Sequence, residues 1–327
     1  MLTVAGVLAA FAVASSGPAL TLQDPAISES SGLATSSYDS SFVLTHNDSG
    51  GKPEYFVVDT RTGKTAARVS VPGATNVDWE DIAVSGHTVY LADIGDNAAR
   101  RRSVTLYAVG ERSTARATAT TLTYDDGPHD AEALLVPPGG RPRFVVTKRL
   151  LGAGVYRVAG SHLVHVADLD TGLVTGGSWS PDGTRIALVS YTGIAVYDAA
   201  AWPAGSPARY PLPPLRQAES VTWHGNTALY VGSEGVHSPV YRVDVGAATP
   251  AGSSARATTA TSASSTASSS GTSSSAASPA IIPPPRDGVP PAPAKGLSAG
   301  IAAVVAVLAL LAVAGTRVLR RRRGGLG

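Results

Sequence analysis

Residues 78–96 read DWEDIAVSGHTVYLADIGD. A run led by acidic residues and a tryptophan, DWEDIA (78–83), passes through a Gly-containing turn into a second run, TVYLADIGD (88–96). Two short β-branched and aromatic runs split by turn residues read as paired strands. The same unit returns along the chain. Ser-Gly-Leu-Ala at 31–34 stands behind Glu29, followed later by Asp130–Leu135 around Glu132, Val174–Trp179 around Thr175-Gly176, and Ala218–Trp223 around Glu219. The marker positions 29, 80, 132, 176 and 219 are separated by 51, 52, 44 and 43 residues.

Each unit continues alike. Second strands are expected at FVLTHND (42–48), TVYLADIGD (88–96), RFVVTKR (143–149), RIALVSY (185–191) and ALYVGSE (228–234). Third strands follow at 55–60, 104–110, 154–160, 193–199 and 240–245, and fourth strands at 66–71, 119–124, 163–169 and 208–213. Four short strands per repeat of this length predict an all-β propeller, whereas a β-sandwich leaves the period unexplained. The fifth unit stops at three strands, and Ala19–Gln23 at the N-terminal side is placed to complete it, leaving no open edge. Five blades are favoured, with six as the alternative if one unit divides differently. Ser180-Pro181-Asp182-Gly183 is a hairpin turn of the expected chemistry, with Pro presetting φ and Gly taking positive φ.

The two ends differ from this domain. Residues 1–14, MLTVAGVLAAFAVA, form an apolar run closing on Ala12-Val13-Ala14, and read as a secretory signal peptide without the usual basic residue in front. Residues 19–246 are the β-propeller domain. Residues 247–296 are Ser/Thr/Ala-rich and then Pro-rich, a composition that buries no core and is expected to be a disordered linker. Residues 297–315 carry no charge and are long enough for a transmembrane helix. The basic tail, 316–327, contains Arg317 and Arg320 to Arg323 and places that end in the cytoplasm, so the propeller is expected outside the cell on a single-pass anchor. No LPxTG-like pentapeptide precedes the apolar segment. These five arginines also turn a net charge of −3 for the rest of the chain into +2. With no basic stripe on the domain, nucleic acid is not an expected partner. The absence of cysteine excludes disulfides, thiolate zinc sites and cysteine nucleophiles. There is no G-x-S-x-G, H-E-x-x-H or phosphate-binding Gly-rich loop.

Chemistry is expected where the strands converge. First strands line a propeller channel, so Glu29, Glu80, Glu132 and Glu219 are candidate ligands for a hard cation such as Ca²⁺, since converging carboxylates repel one another unless a cation joins them. The alternative is that these glutamates bond backbone amides of the adjacent blade and hold the ring shut. Asp81, next to Glu80, is expected to point the other way. Second-strand ends supply a ligand-face set: Asn47, Asp48, Asp93, Asp96, Asn97, Lys148 and Glu234. His46 with Asp48 is a candidate acid–base pair, against a turn-forming role for these residues. His129 beside Asp130 is read in the same way. Trp79, Trp179 and Trp223 are expected to pack between blades rather than to form sugar platforms.

ESSGLA (29–34), THNDSGG (45–51), DWEDIA (78–83), DIGDN (93–97), HDAEALL (129–135), SPDG (180–183), AESV (218–221) and GSEGVHSPVYRV (232–243) resemble, in order and across nearly all of residues 20–245, a family of exported actinobacterial β-propeller proteins with distant similarity to propeller phytases and phytase-like esterases. The resemblance implies calcium at the channel acids. It also implies, as the alternative to a binding or scaffold module with an extracellular ligand, a calcium-dependent phosphoester or carboxylester hydrolase. The phytase-type phosphate site needs several basic residues among its carboxylates, and here only Lys148 and Arg149 occupy a fitting position.

Overall fold

The computed structural model describes residues 17–246. The expected signal peptide (1–14), linker (247–296), transmembrane helix (297–315) and tail (316–327) lie outside the described residues. Among those described, no helix is long and apolar enough to cross a membrane.

The chain forms β1 (Leu20–Thr21) and then four-strand meanders. The first contains β2 (Ser30–Thr35), β3 (Phe42–Asn47), β4 (Glu54–Asp59) and β5 (Thr65–Ser70). The second contains β6 (Trp79–Ser85), β7 (Thr88–Asp93), β8 (Val104–Gly110) and β9 (Thr118–Tyr124). The third contains β10 (Ala131–Leu135), β11 (Phe144–Thr147), β12 (Ala153–Ala159) and β13 (His162–Leu169). The fourth contains β14 (Val174–Trp179), β15 (Arg185–Ser190), β16 (Gly193–Asp198) and β17 (Ala208–Tyr210). The last run is β18 (Ala218–His224), β19 (Ala228–Ser233) and β20 (Pro239–Asp244), and β1 pairs antiparallel with β20 through Leu20–Val240 and Thr21–Pro239. Successive strands within each meander are antiparallel neighbours. A short parallel pairing of β9 with β13 joins the second and third meanders into one eight-stranded sheet.

The first strands β2, β6, β10, β14 and β18 pack side by side in a closed cycle, and the architecture is all-β and propeller-like. The hydrophobic residues follow the same plan. Each pair of neighbouring meanders encloses its own apolar layer. Leu44, Tyr55, Trp79, Ile82 and Tyr107 fill the first junction, and Leu106, Tyr124, Leu134 and Tyr156 the second. Leu135, Val155, Ile186 and Tyr197 fill the next, then Val189, Val221, Trp223 and Leu229. Leu22, Ile27, Phe56 and Tyr230 close the circuit between the last meander and the first. The turn at 180–183 works as its residues predict: Gly183 has φ +75°, and the Asp182 carboxylate accepts hydrogen bonds from the Ser180 hydroxyl (2.6 Å) and the Thr184 amide (3.0 Å).

At the hub a single side chain ties three meanders together. Asp81 of β6 is fully buried. It accepts hydrogen bonds from the amides of Ile82 (2.8 Å), Leu134 of β10 (2.8 Å) and Gly177 of β14 (3.3 Å). The amide-binding role that the sequence reading offered to the recurrent glutamates therefore belongs to their neighbour. Burial drives the Asp81 carboxyl well above its ordinary pKa, and the three amides oppose that rise.

Replacement Asp81→Ala orphans three buried amides, each costing about 1–3 kcal/mol. We expect a loss of about 3 kcal/mol or more in urea unfolding, with Asp81→Asn milder because its carbonyl still accepts.

Candidate functional site

Every first strand carries a register irregularity at the same place. It falls between Ser30 and Gly32, Trp79 and Asp81, Ala131 and Ala133, Val174 and Gly176, and Ala218 and Ser220. The extra residues are Ser31, Glu80, Glu132, Thr175 and Glu219. A β-bulge re-aims its side chain and ends regular pairing, and here it sets one tier of a channel mouth. This corrects two of the sequence markers. Glu29 is not the equivalent of Glu80, because Ser31 is, and Thr175 rather than Gly176 stands in the fourth meander. Glu29 instead precedes its strand as Asp78, Asp130, Leu173 and Gln217 precede theirs, and it is exposed. Asp48, Ile94, Lys148, Tyr191 and Glu234 leave the second strands beside that tier.

The mouth divides chemically. On one side the acids are already engaged. Lys148 Nζ lies 2.8 Å from Glu132 Oε1, the Tyr191 hydroxyl donates to Glu219 Oε1 at 2.5 Å, and Gln217 Nε2 donates to Glu234 Oε2 at 2.7 Å. Burial alone would lower the Lys148 pKa, but the Glu132 and Glu219 carboxylates outweigh it and hold the ammonium firmly charged.

On the other side one carboxylate oxygen each from Asp48, Asp78 and Glu80 lie within 4.8 Å of one another. Asp48 Oδ1 is buried and has no hydrogen-bond partner among the described residues. Glu80 is buried and receives only a long bond, 3.4 Å, from the Ser31 hydroxyl. Gly95 lies so close that a Cβ on it would stand 2.1 Å from Glu80 Oε1 and 2.5 Å from Asp78 Oδ2. Asn76 assembles the trio. Its Nδ2 donates to the Asn47 (3.1 Å) and Asp48 carbonyls, while its Oδ1 accepts from the Trp79 amide at 3.3 Å. This fastens the end of β3 to the start of β6. Three carboxyl oxygens at this spacing fit a hard cation with oxygen ligands, of which Ca²⁺ is the type with adaptable geometry. Of the sequence candidates, Glu80 from the metal-ligand set and Asp48 from the ligand-face set join this trio. Glu132 and Glu219 sit in the engaged half, and Glu29 flanks Asp48.

The remaining candidates are placed as follows. Asp93 pairs with Arg101 at 2.8 Å and accepts from the Asp78 amide at 3.1 Å. Asp96 accepts from the Arg101 amide at 2.6 Å, while Asn97 is exposed. Asn47 is a turn residue, accepting from the Ser28 and Glu29 amides and donating to the Ala26 carbonyl. His46 does not pair with Asp48. It is fully buried, donates from Nδ1 to the Asn47 carbonyl at 3.0 Å and lies edge-on to Trp79. Burial pushes its pKa down to about 4, so the imidazole is neutral and shut away from the mouth. His129 bonds Asp126 at 2.9 Å and the Tyr156 hydroxyl at 2.8 Å on an outer surface. Asp78 and Asn76 went unread as site residues. The Asp78-x-Glu80 and Asp130-x-Glu132 spacing was the available signal, since it marks two tiers instead of one.

No family model matches the chain, and no curated protein matches it. Solved structures that overlap it include hydrazine synthase of Kuenenia stuttgartiensis, at 14% identity over 65% of this chain and 64% of that one, with a TM-score of 0.38. A chain of a nidogen/laminin complex overlaps at 13% identity over 66% and 84%, with a TM-score of 0.45. A luciferin-regenerating enzyme overlaps at 12% identity over 66% and 80%, with a TM-score of 0.41. The chain thus spans just under two thirds of the hydrazine synthase chain. Overlaps this distant say nothing of activity or ligand.

The crowded carboxyls make a pH prediction. Burial, with Asp78, Glu234, Glu29 and Glu219 nearby, raises Asp48 to about 8. Burial, then Asp130, raises Asp78 to about 6, and burial with Glu219 and Glu29 raises Glu234 to about 7. The folded state therefore holds more protons than the unfolded chain across this range, and that stabilising contribution is lost as pH rises through the folded pKa values. In EDTA, the melting temperature is expected to fall between pH 5 and pH 8.5, and Asp48→Asn to flatten the decline. A melting temperature that rises over this interval contradicts the assignment.

Proposed function

We propose that residues 19–246 form a five-bladed β-propeller held outside the cell by the 247–296 linker and the 297–315 segment. In this reading it is a binding module whose acidic mouth takes Ca²⁺ through Asp48, Asp78 and Glu80. The observation that carries the reading is the approach of a carboxylate oxygen each from Asp48, Asp78 and Glu80 to within 4.8 Å, together with a buried Asp48 Oδ1 that has no partner among the described residues. Like charges this close and this desolvated are unfavourable alone and favourable around a divalent ion. Support for the blade count comes from the five-strand cycle at the hub and the apolar layer between each pair of neighbouring meanders. Support for external display comes from the charge pattern of residues 297–327.

A binding module is preferred to a hydrolase for two reasons. Lys148 and Arg101, the basic side chains beside the mouth, are committed to Glu132 and Asp93, and His46 is sealed beneath it. Among the described residues, neither a free cation for a phosphate nor an accessible imidazole base stands beside the carboxylate trio.

Calorimetric titration of Ca²⁺ into EDTA-treated full-length protein is expected to give saturable binding. Asp48→Asn and Glu80→Gln should each weaken it about tenfold or more by removing a charged ligand. Glu132→Gln, whose carboxylate belongs to Lys148, should leave it nearly intact. The absence of saturable heat, or equal affinity in all variants, removes the cation from the reading. Turnover of phosphate or carboxylic ester substrates that vanishes with Glu80→Gln would replace the module by the hydrolase. Display is checked separately: an epitope tag placed after Gly327 should resist protease on intact cells while residues 17–246 are shed.

A further inference from the structure

The opposite end of the channel has a different chemistry. There the far ends of β2, β6, β10, β14 and β18 and their turns surround a cavity of about 350 Å³, a volume within the range of small-molecule sites. All the meanders contribute to its wall. No Asp, Glu, Lys or Arg lines it, and His87 at the rim is its one titratable side chain.

The polar atoms of the wall share a bias. Thr35 Oγ1 donates to the Trp223 carbonyl at 2.6 Å, and Ser85 Oγ donates to the Pro137 carbonyl at 2.8 Å. Ser36 and Ser37 donate to the Glu111 carboxylate behind them. With their protons directed into the protein, these oxygens keep lone pairs to offer, freest at Ser85, since Thr35 Oγ1 also meets Thr222 Oγ1 (3.4 Å), Ser36 Oγ accepts from the Tyr38 amide (3.2 Å) and Ser37 Oγ meets His87 Nδ1 (2.9 Å). Thr222 Oγ1 already accepts from the Thr35 amide at 3.0 Å. The Ser178 hydroxyl, on the half-buried end of β14, has no partner among the described residues. Trp179 adds indole surface, and because its Nε1 donates to the Gly183 carbonyl at 3.2 Å, the ring presents carbon rather than N–H.

A wall of this kind selects its occupant. An anion meets no cation. An ammonium ion meets no carboxylate to offset its desolvation, since Glu111 is covered by Ser36 and Ser37. A neutral molecule rich in O–H donors, with C–H faces to lie on an indole, satisfies both the acceptors and the ring. We infer that this cavity is a binding site for a neutral saccharide of one or two rings. The site is independent of the cation site at the other mouth, and Asp81 crosses the hub between them.

The test uses full-length protein in EDTA, which keeps the carboxylate trio silent. The probes are glucose, galactose, N-acetylglucosamine and maltose, with glucuronate and glucosamine as charged counterparts, read by saturation-transfer NMR and calorimetry. At least one neutral sugar is expected to bind saturably and its charged counterpart more weakly. Ser178→Ala should weaken binding about fivefold, the loss of one hydrogen bond, with no change in melting temperature. Because the chain has no cysteine, Ser178→Cys supplies a unique thiol. Its alkylation should abolish binding, and the bound sugar should slow its alkylation. If none of the neutral sugars binds the wild-type protein, or if binding persists undiminished after alkylation of the Ser178→Cys thiol, the inference is wrong.

Discussion

A fully buried carboxylate without a countercharge is among the more demanding arrangements a protein core contains. Burial pushes Asp81 toward its protonated form, and three backbone amides from β6, β10 and β14 are what opposes that in the absence of a cation. Those amides belong to strands that are distant in sequence and touch only at the hub. One side chain thus fixes the mutual height of three meanders, and the bulged residues directly before it inherit that height. The convergence of Glu80 and Glu132 at one mouth depends on this.

The acidic mouth shows how near-equivalent positions acquire different roles. Glu132 and Glu219 occupy the same bulge as Glu80, yet Lys148 and Tyr191 follow the neighbouring second strands and neutralise or hydrogen-bond their acids. Where the corresponding second strand ends in Asp48, no such partner exists, and three carboxylates face one another. Repetition of the strand pattern builds the ring, and departure from repetition at positions 48, 148 and 191 gives the ring one distinctive sector.

Much of this was legible in the chain. The strands, their grouping and the closure by Ala19–Gln23 follow from period and turn chemistry, because burial of alternate side chains and the demands of tight turns are local properties. The tiers of the mouth were not legible. The bulge falls at the start of each first strand, before any hydrophobic alternation sets the register, so Glu29 seemed to match Glu80 when Ser31 does. Asn76 lies in a connecting segment and reaches carbonyls 28 and 29 residues away, which nothing local marks, and Asp78 is marked only by its spacing to Glu80. The opposite cavity was also hidden, since it is built from single Ser and Thr residues at the ends of strands that only the closed ring brings together.

The pairing of β1 with β20 has an implication for the order of events in the cell. Leu20 must wait for Val240, so the earliest part of the domain to emerge during synthesis is the last to find its place. Until then Leu22 and Ile27, which end up in the final apolar layer, have nowhere to go, and the ring stays open with an unpaired strand edge. Closure over so long a stretch of chain is slow compared with the formation of each meander. A domain wired in this way reaches its finished form only once everything from Leu20 to Val240 has been made, so closure is a check on the completeness of the domain.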